Sequence, residues 1–346
     1  MQARFRQHFT PVACAFLAIA LFVPAVNGGD AVKVYILAGQ SNMQGKASLV
    51  TLAHQIKDET RKSTFAHLHD GKGNYKVRDD VSINFLDRHG KLEVGYGSRG
   101  RFGPELGFGW TVGEAIDEPV LIIKAAYGGR SLFRDFRSPS AGLPSEEHLG
   151  AELENAKKRK PDTTMEDVKQ KYGFAYRDMM GEVKNVKENY ETLFPELKGR
   201  ELELAGFVWF QGWNDMINGT NSAAYTDNMV DFVNDVREDL GAPNLPFVIG
   251  QMGVGGPFTG EGKSADKKEQ FKTRQAAAAD KLENCVCVAT DKYWDPVANE
   301  AYKVWRQDID AWRHHGDDHA YHYLGSPLII YRIGEAFGNQ MLKMEK

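Results

Sequence analysis

Four short blocks of this sequence carry residues whose types and spacing suit acyl transfer. Ser41 stands in Ala38-Gly39-Gln40-Ser41-Asn42-Met43, directly after a short apolar run. A serine at the carboxyl end of a buried strand faces the crevice, and a following turn of helix would aim backbone N–H groups at an oxyanion on an attacked carbonyl. Taken alone, a serine there is more commonly a helix cap. The hydroxyl needs a base, and the base needs a group that fixes its tautomer. The loop from Gly316 to Ser326 packs two acids and two histidines just before the last helix. His322 is the expected base and Asp318 its acid partner, with His319 and Asp317 as the alternatives. The block Trp209-Phe210-Gln211-Gly212-Trp213-Asn214-Asp215 closes another apolar strand. Asn214 there could offer a side-chain N–H to an oxyanion, a contribution of about 3 to 4 kcal/mol; the plainer reading of Asn-Asp is a turn or cap. Tyr127-Gly128-Gly129-Arg130-Ser131 follows a third strand, where glycine lets a backbone N–H approach a ligand closely. The G-x-S-x-G elbow is not matched, because Met43 holds the place of its second glycine.

These blocks need a scaffold that gathers strand ends. Val32 to Ala38, Pro119 to Ala125, Leu204 to Phe210, Leu245 to Gln251 and Cys285 to Ala289 are short apolar runs that read as strands buried on both faces. Between them, Leu106 to Ile116, Met179 to Leu193, Ala223 to Leu240, Ser264 to Leu282 and Leu328 to Leu342 have lengths and apolar spacing suited to helices. The alternation predicts a three-layer α/β/α sandwich with a central parallel sheet. Residues 46–102 and 133–175 break the rhythm and read as insertions. Long connections that leave the carboxyl ends of strands line the crevice of such folds, so substrate contacts are expected there. The basic run Lys157-Lys158-Arg159-Lys160 in the second insertion reads as solvated decoration.

The 346-residue chain opens with Arg4 and Arg6, an apolar run from Pro11 to Val26 and small residues up to Gly28, the pattern of an export signal. Residues 1–28 are therefore set apart, and 29–346 are read as a single hydrolase domain, secreted or periplasmic. The apolar run is shorter than the roughly 20 residues of a spanning helix, and no later segment is long and apolar enough to span a bilayer. Without Arg4 and Arg6 the chain carries 41 basic against 47 acidic side chains, a formal charge of −6. That balance argues against nucleic acid or an anionic membrane as partner. Cys14 leaves with the signal, and Cys285 and Cys287, two apart on one strand face, read as buried neighbours rather than a disulfide framework or metal site. Phosphate-binding glycine motifs of the P-loop and dinucleotide kinds are absent.

Taken together, Ser in GQSNM, Gly in YGGRS, Asn in GWND and His in a late loop resemble, in that chain order, the four blocks of the SGNH (GDSL-like) hydrolases. More narrowly, GQSNM, GPELGFGW, KAAYGGRSL, WFQGWND, LPFVIGQMG and YHYLGS resemble the carbohydrate acetylesterase branch that includes sialate O-acetylesterases. The resemblance runs from about residue 32 to 340. It implies an SGNH/flavodoxin-like sandwich and a serine esterase acting on O-acetylated carbohydrate, with Ser41 as nucleophile, His322 as base and Asp318 as acid. It also implies an oxyanion hole from the Ser41 N–H, the Gly128 N–H and the Asn214 side chain, and no metal or other cofactor. Asp318 stands four residues before His322, where many members have three. Gln40, Gln211 and Arg130, within the same blocks, are expected to contact substrate. Two rival readings are an SGNH lipase or thioesterase acting on longer acyl chains, and a carbohydrate-binding protein without turnover.

Overall fold

The architecture follows from five apolar strands that can be satisfied only inside a sheet covered on both faces. In the computed structural model, residues 31–257 and 262–345 are described; the expected export signal lies outside them. The strands of the main sheet are β1 (Ala31–Gly39), β2 (Arg78–Phe85), β3 (Arg88–Leu92), β4 (Val120–Ala126), β5 (Glu201–Phe210), β6 (Phe247–Gln251) and β7 (Cys285–Ala289); Ala47–Ser48 and Arg101–Phe102 pair separately. The main sheet is seven-stranded, in the order β3-β2-β4-β1-β5-β6-β7. Every neighbouring pair is parallel except β2 with β3. The helices that matter here are α1 (Ser41–Gln44), α2 (Glu105–Ala115), α3 (Glu146–Lys157), α4 (Phe174–Leu193), α5 (Tyr225–Asp239), α6 (Lys263–Asp280) and α7 (Pro327–Met344).

Period-two geometry divides the apolar residues between two helical layers. Along β5, Phe207 and Trp209 pack on Phe232 of α5, whereas Phe210 packs on Phe337 of α7. Tyr35 of β1 meets Phe108 of α2 edge to face. The expected α/β/α sandwich is thus the fold, with α2 and α7 against one face of the sheet and α4 and α5 against the other.

Three expectations need correction. Residues 46–102 are not only connection, since β2 and β3 extend the sheet and β3 adds an antiparallel edge. In β3 only Leu92 is buried, so it had no apolar run to reveal it. The run Cys285–Ala289 is an edge strand, not one buried on both faces; Cys285 and Cys287 are half-buried and free. Burial still pushes both thiols up to about 12, which keeps them neutral. The helix expected from Ala223 to Leu240 is broken at Ala224 into Gly219–Ala223 and α5. Residues 133–175 hold α3 and the helix Met165–Lys169 over a small separate cluster of Phe133, Leu149, Val168 and Tyr172. Among the described residues, no helix is long and apolar enough to cross a membrane.

Phe232 joins the layers, touching the rings of Phe136, Tyr176, Phe207, Trp209 and Phe247 while fully buried. Phe232→Ala should cost about 3 to 5 kcal/mol through lost transfer energy and a cavity. Urea unfolding followed by circular dichroism checks this; a loss under about 1 kcal/mol would mean that the layers are not joined through this ring.

Candidate active site

The sheet order reverses at β1, whose neighbours are β4 on one side and β5 on the other, so their carboxyl ends diverge around a crevice. Gly39, Ala126 and Phe210 stand in register there. Gly39 has φ +153°, and a Cβ on it would lie 2.2 Å from the Phe210 carbonyl oxygen, so no side chain fits. The chain then turns at once into α1, a single helical turn that starts at Ser41. The first N–H groups of a helix have no acceptor within it, which leaves the Ser41 N–H for a ligand.

The late loop meets this turn. His322 Nε2 lies 3.0 Å from Ser41 Oγ, and His322 Nδ1 lies 3.1 Å from Asp318 Oδ1. A carboxylate facing Nδ1 places the proton on that nitrogen and leaves Nε2 as the acceptor for the serine hydroxyl. The loop reaches this position through three successive left-handed residues, Tyr323 (φ +51°), Leu324 (φ +64°) and Gly325 (φ +62°). For the two that are not glycine this costs on the order of 1 to 3 kcal/mol each and must be held by surroundings. Tyr323 is fully buried, with its hydroxyl 2.8 Å from the Gly253 N–H and 2.7 Å from Thr290 Oγ1. The Leu324 carbonyl accepts the N–H groups of Asp317 and Asp318. Asn42 ties the loop to α1 by donating to the Tyr321 carbonyl at 3.2 Å.

Of the two candidate acids, only Asp318 faces His322; Asp317 Oδ1 accepts from Arg101 at 2.8 Å. Partial burial favours the neutral form of Asp318. The hydrogen bonds from His322 and the His319 N–H, with the Arg101 charge 3.5 Å from Oδ2, outweigh burial and hold the carboxyl below the usual range. His319, the alternative base, sits with Nδ1 3.1 Å from the Tyr302 hydroxyl.

Opposite the histidine, Gly128 runs beside the serine: a Cβ on it would lie 4.0 Å from Ser41 Cβ. Asn214 is oriented by Gln40. The Gln40 Oε1 accepts the N–H groups of Gly212 and Asn214 at 3.1 and 3.4 Å, which turns its Nε2 toward Asn214 Oδ1 at 3.2 Å. Asn214 Nδ2 therefore points the other way, to the Gly129 carbonyl at 3.0 Å, and an amide nitrogen retains a second N–H. Beneath it, fully buried Asp215 accepts the N–H groups of Leu132 and Phe133 at 2.9 Å each, clamping the β4 loop to the β5 loop. Burial, which outweighs those bonds, pushes Asp215 up to about 6.

The sequence profile of the family described as carbohydrate esterase, sialic acid-specific acetylesterase, matches residues 31–298. The chain belongs to that family. A probable carbohydrate esterase of Arabidopsis thaliana is 29% identical over 86 residues, 25% of this chain and 29% of that relative, so the match spans under a third of the relative's length. The solved structure of that plant protein shares the fold, with a TM-score of 0.52 at 14% identity over 91% of this chain and 98% of the other. A structure described as a carbohydrate acetylesterase from Xanthomonas citri gives a TM-score of 0.46 at 14% identity over 76% of this chain and 51% of that one.

Three further residues of the blocks were expected on substrate, and the structure shows where each one sits. Gln40 and Gln211, expected on substrate, are each 1% exposed and are bonded to the backbone and side chains of the neighbouring loops. Gln211 Nε2 donates to the Arg130 carbonyl at 3.0 Å and to Asp215. The hydrogen bonds that these buried amides do make tie the loops together. Arg130 keeps a half-exposed guanidinium over the Phe174 ring, 3.8 Å from Asp135. Arg101, Asp215 and a buried Lys124–Glu105 pair went unnoticed in the sequence; only Lys124, a lysine inside an apolar strand, left a signal there.

Gln40→Glu tests the orientation. A carboxylate cannot donate to Asn214 Oδ1, so the amide should turn its oxygen toward the crevice. On p-nitrophenyl acetate, kcat should fall by about 10² to 10³, as when an oxyanion donor is lost, with KM changed little. A raised KM at unchanged kcat would return Gln40 to the substrate.

Proposed function

We propose that this chain is a serine esterase that removes O-acetyl groups from carbohydrate. The observation that carries the reading is the line from Asp318 through His322 to Ser41, at 3.1 and 3.0 Å, beside the N–H groups of Ser41, Gly128 and Asn214. Ser41 attacks the acetyl carbonyl as His322 takes its proton, and the three N–H donors stabilise the tetrahedral oxyanion. His322 then protonates the departing sugar oxygen, leaving an acetyl-enzyme. Water, deprotonated by His322, attacks that ester, and acetate leaves as Ser41 recovers its proton. Asp318 holds the imidazole tautomer and balances the imidazolium. Family membership supports an acetylated carbohydrate as the substrate. We further propose that residues 1–28 direct export, and that 29–346 act as one domain outside the cytoplasm.

Acetate release from p-nitrophenyl acetate and from an O-acetylated sugar tests the assignment. Ser41→Ala and His322→Ala should each lower kcat/KM by about 10⁴-fold or more, and Asp318→Asn by about 10³ to 10⁴, with circular dichroism unchanged. Acetyl should be preferred to octanoyl esters. Preference for the longer chain would make the protein an acyl-chain hydrolase, and wild type without turnover but with sugar affinity would make it a binding protein.

A further inference from the structure

Of two neighbouring cavities, one lies beside Asn214, a candidate oxyanion donor. The first, about 420 Å³, opens at Asn214 and Gly129 and is lined on by the amides of Asn155, Asn218 and Asn221. The second, about 580 Å³, adjoins the first at Arg134, Glu152 and Asn155, which line both. Its far part is basic: Lys158, Arg159, Lys160 and Lys171 line it, with Glu152 the sole acid among its lining residues.

These cations converge from separate segments. Arg134 lies in the loop after β4, Lys158 to Lys160 follow the last turn of α3, and Lys171 follows the helix Met165–Lys169. Arg134 is committed to the fold, 3.2 Å from Asp135 and 3.4 Å from Glu152. Lys158, Arg159, Lys160 and Lys171 are exposed, and among the described residues none of them forms an ion pair. Lys158 donates instead to Asn155 Oδ1 at 2.9 Å. The nearby Asp167 carboxylate is engaged in capping its own helix through Thr164. A helix C-terminus favours cations, which accounts for Lys157 and Lys158. It does not by itself account for Lys158, Arg159, Lys160 and Lys171 lining one cavity from two helix ends in a chain of net charge −4. The basic run is exposed, as expected of solvated decoration, and three of its residues also line this cavity.

We propose that this basic cavity is a subsite for the anionic groups, carboxylate or sulfate, of an O-acetylated polysaccharide whose acetylated unit lies at Ser41. The inference rests on the esterase reading, which puts the ester beside Asn214, where the first cavity opens. The asparagine amides between suit sugar hydroxyls, and the cations lie where the next units of the chain would pass. Exposed cations act together and are screened by salt, so the subsite should raise affinity for a repeating polyanion and do nothing for a small ester.

The triple variant Lys158→Glu, Arg159→Glu, Lys160→Glu tests this in the full-length protein. On acetylated alginate or acetylated carrageenan its kcat/KM should fall about 10-fold or more, and wild type should lose a similar factor between low salt and about 0.5 M NaCl. Hydrolysis of p-nitrophenyl acetate and of neutral acetylated glucomannan should stay within about twofold. The polyanion that is preferred identifies the group as carboxylate or sulfate. Equal, salt-independent rates on neutral and anionic glycans, unchanged in the variant, overturn the proposal. So does a variant that loses only duplex DNA binding. If wild type does not hydrolyse p-nitrophenyl acetate, the esterase reading fails. Affinity for unacetylated alginate and carrageenan then decides the subsite, and equal binding by wild type and variant overturns it.

Discussion

A single buried ammonium underlies the candidate site. Lys124 sits in the middle of β4 with its side chain fully buried, and its Nζ donates to the Gln44 carbonyl at 2.9 Å, the Tyr96 carbonyl at 2.7 Å and Glu105 Oε2 at 2.6 Å. Three acceptors match the three hydrogens of the ammonium. The other Glu105 oxygen accepts the Gly103 N–H at 2.7 Å. Burial lowers Lys124 to about 8 and raises Glu105, and their mutual attraction opposes both shifts. Either charge alone would cost several kcal/mol in that position, so each requires the other. The consequence is geometric. Gln44 ends α1, so the lysine grips the turn that carries Ser41 from below, while Glu105 fixes the start of α2 and Tyr96 the loop before it.

From that anchor the site is built by amides more than by charges. Gln40, Gln211, Asn42 and Asn214 each tie together segments distant in the chain, and in Gln40 and Asn214 both ends of the amide are bonded, which sets orientation as well as distance. The histidine arm is made differently. It is held by left-handed backbone, a buried Tyr323 and a glycine at 325, where a Cβ would stand 2.7 Å from Asp317 Oδ1. A rigid amide lattice on one side and a strained loop on the other meet at Ser41 Oγ. Pre-organisation of this kind lets donors act without reorganising as charge develops.

What could be read from the sequence was whatever left a local trace. The strands β1, β4 and β5 announce themselves as apolar runs, and Ser41, Asn214 and His322 follow from their places at strand ends or in the last loop. Strands β2 and β3 do not: β2 begins Arg78-Asp79-Asp80, and β3 pairs on one side only. Gln40 and Gln211 were expected on substrate because polar residues in a reactive block suggest ligand contact; their burial and their bonds to the loops are not visible in the motif. Lys124 could have been caught, since a lysine in a run buried on both faces must have an acidic partner. Its partner Glu105, 19 residues earlier, could not be named without the fold.

The choice between Asp317 and Asp318 shows how a distant residue decides local chemistry. Adjacent carboxylates beside one imidazole would repel each other and compete for its proton. Arg101, 216 residues before Asp317, takes that carboxylate at 2.8 Å and reaches Asp318 at 3.5 Å, while also donating to the Lys46 carbonyl. It thereby spends one negative charge, leaves Asp318 Oδ1 to His322, and helps keep that carboxyl ionised against its burial. Because Arg101 belongs to the stretch first read as an insertion, that stretch does more than decorate the sheet: it sets the charge that the imidazole meets.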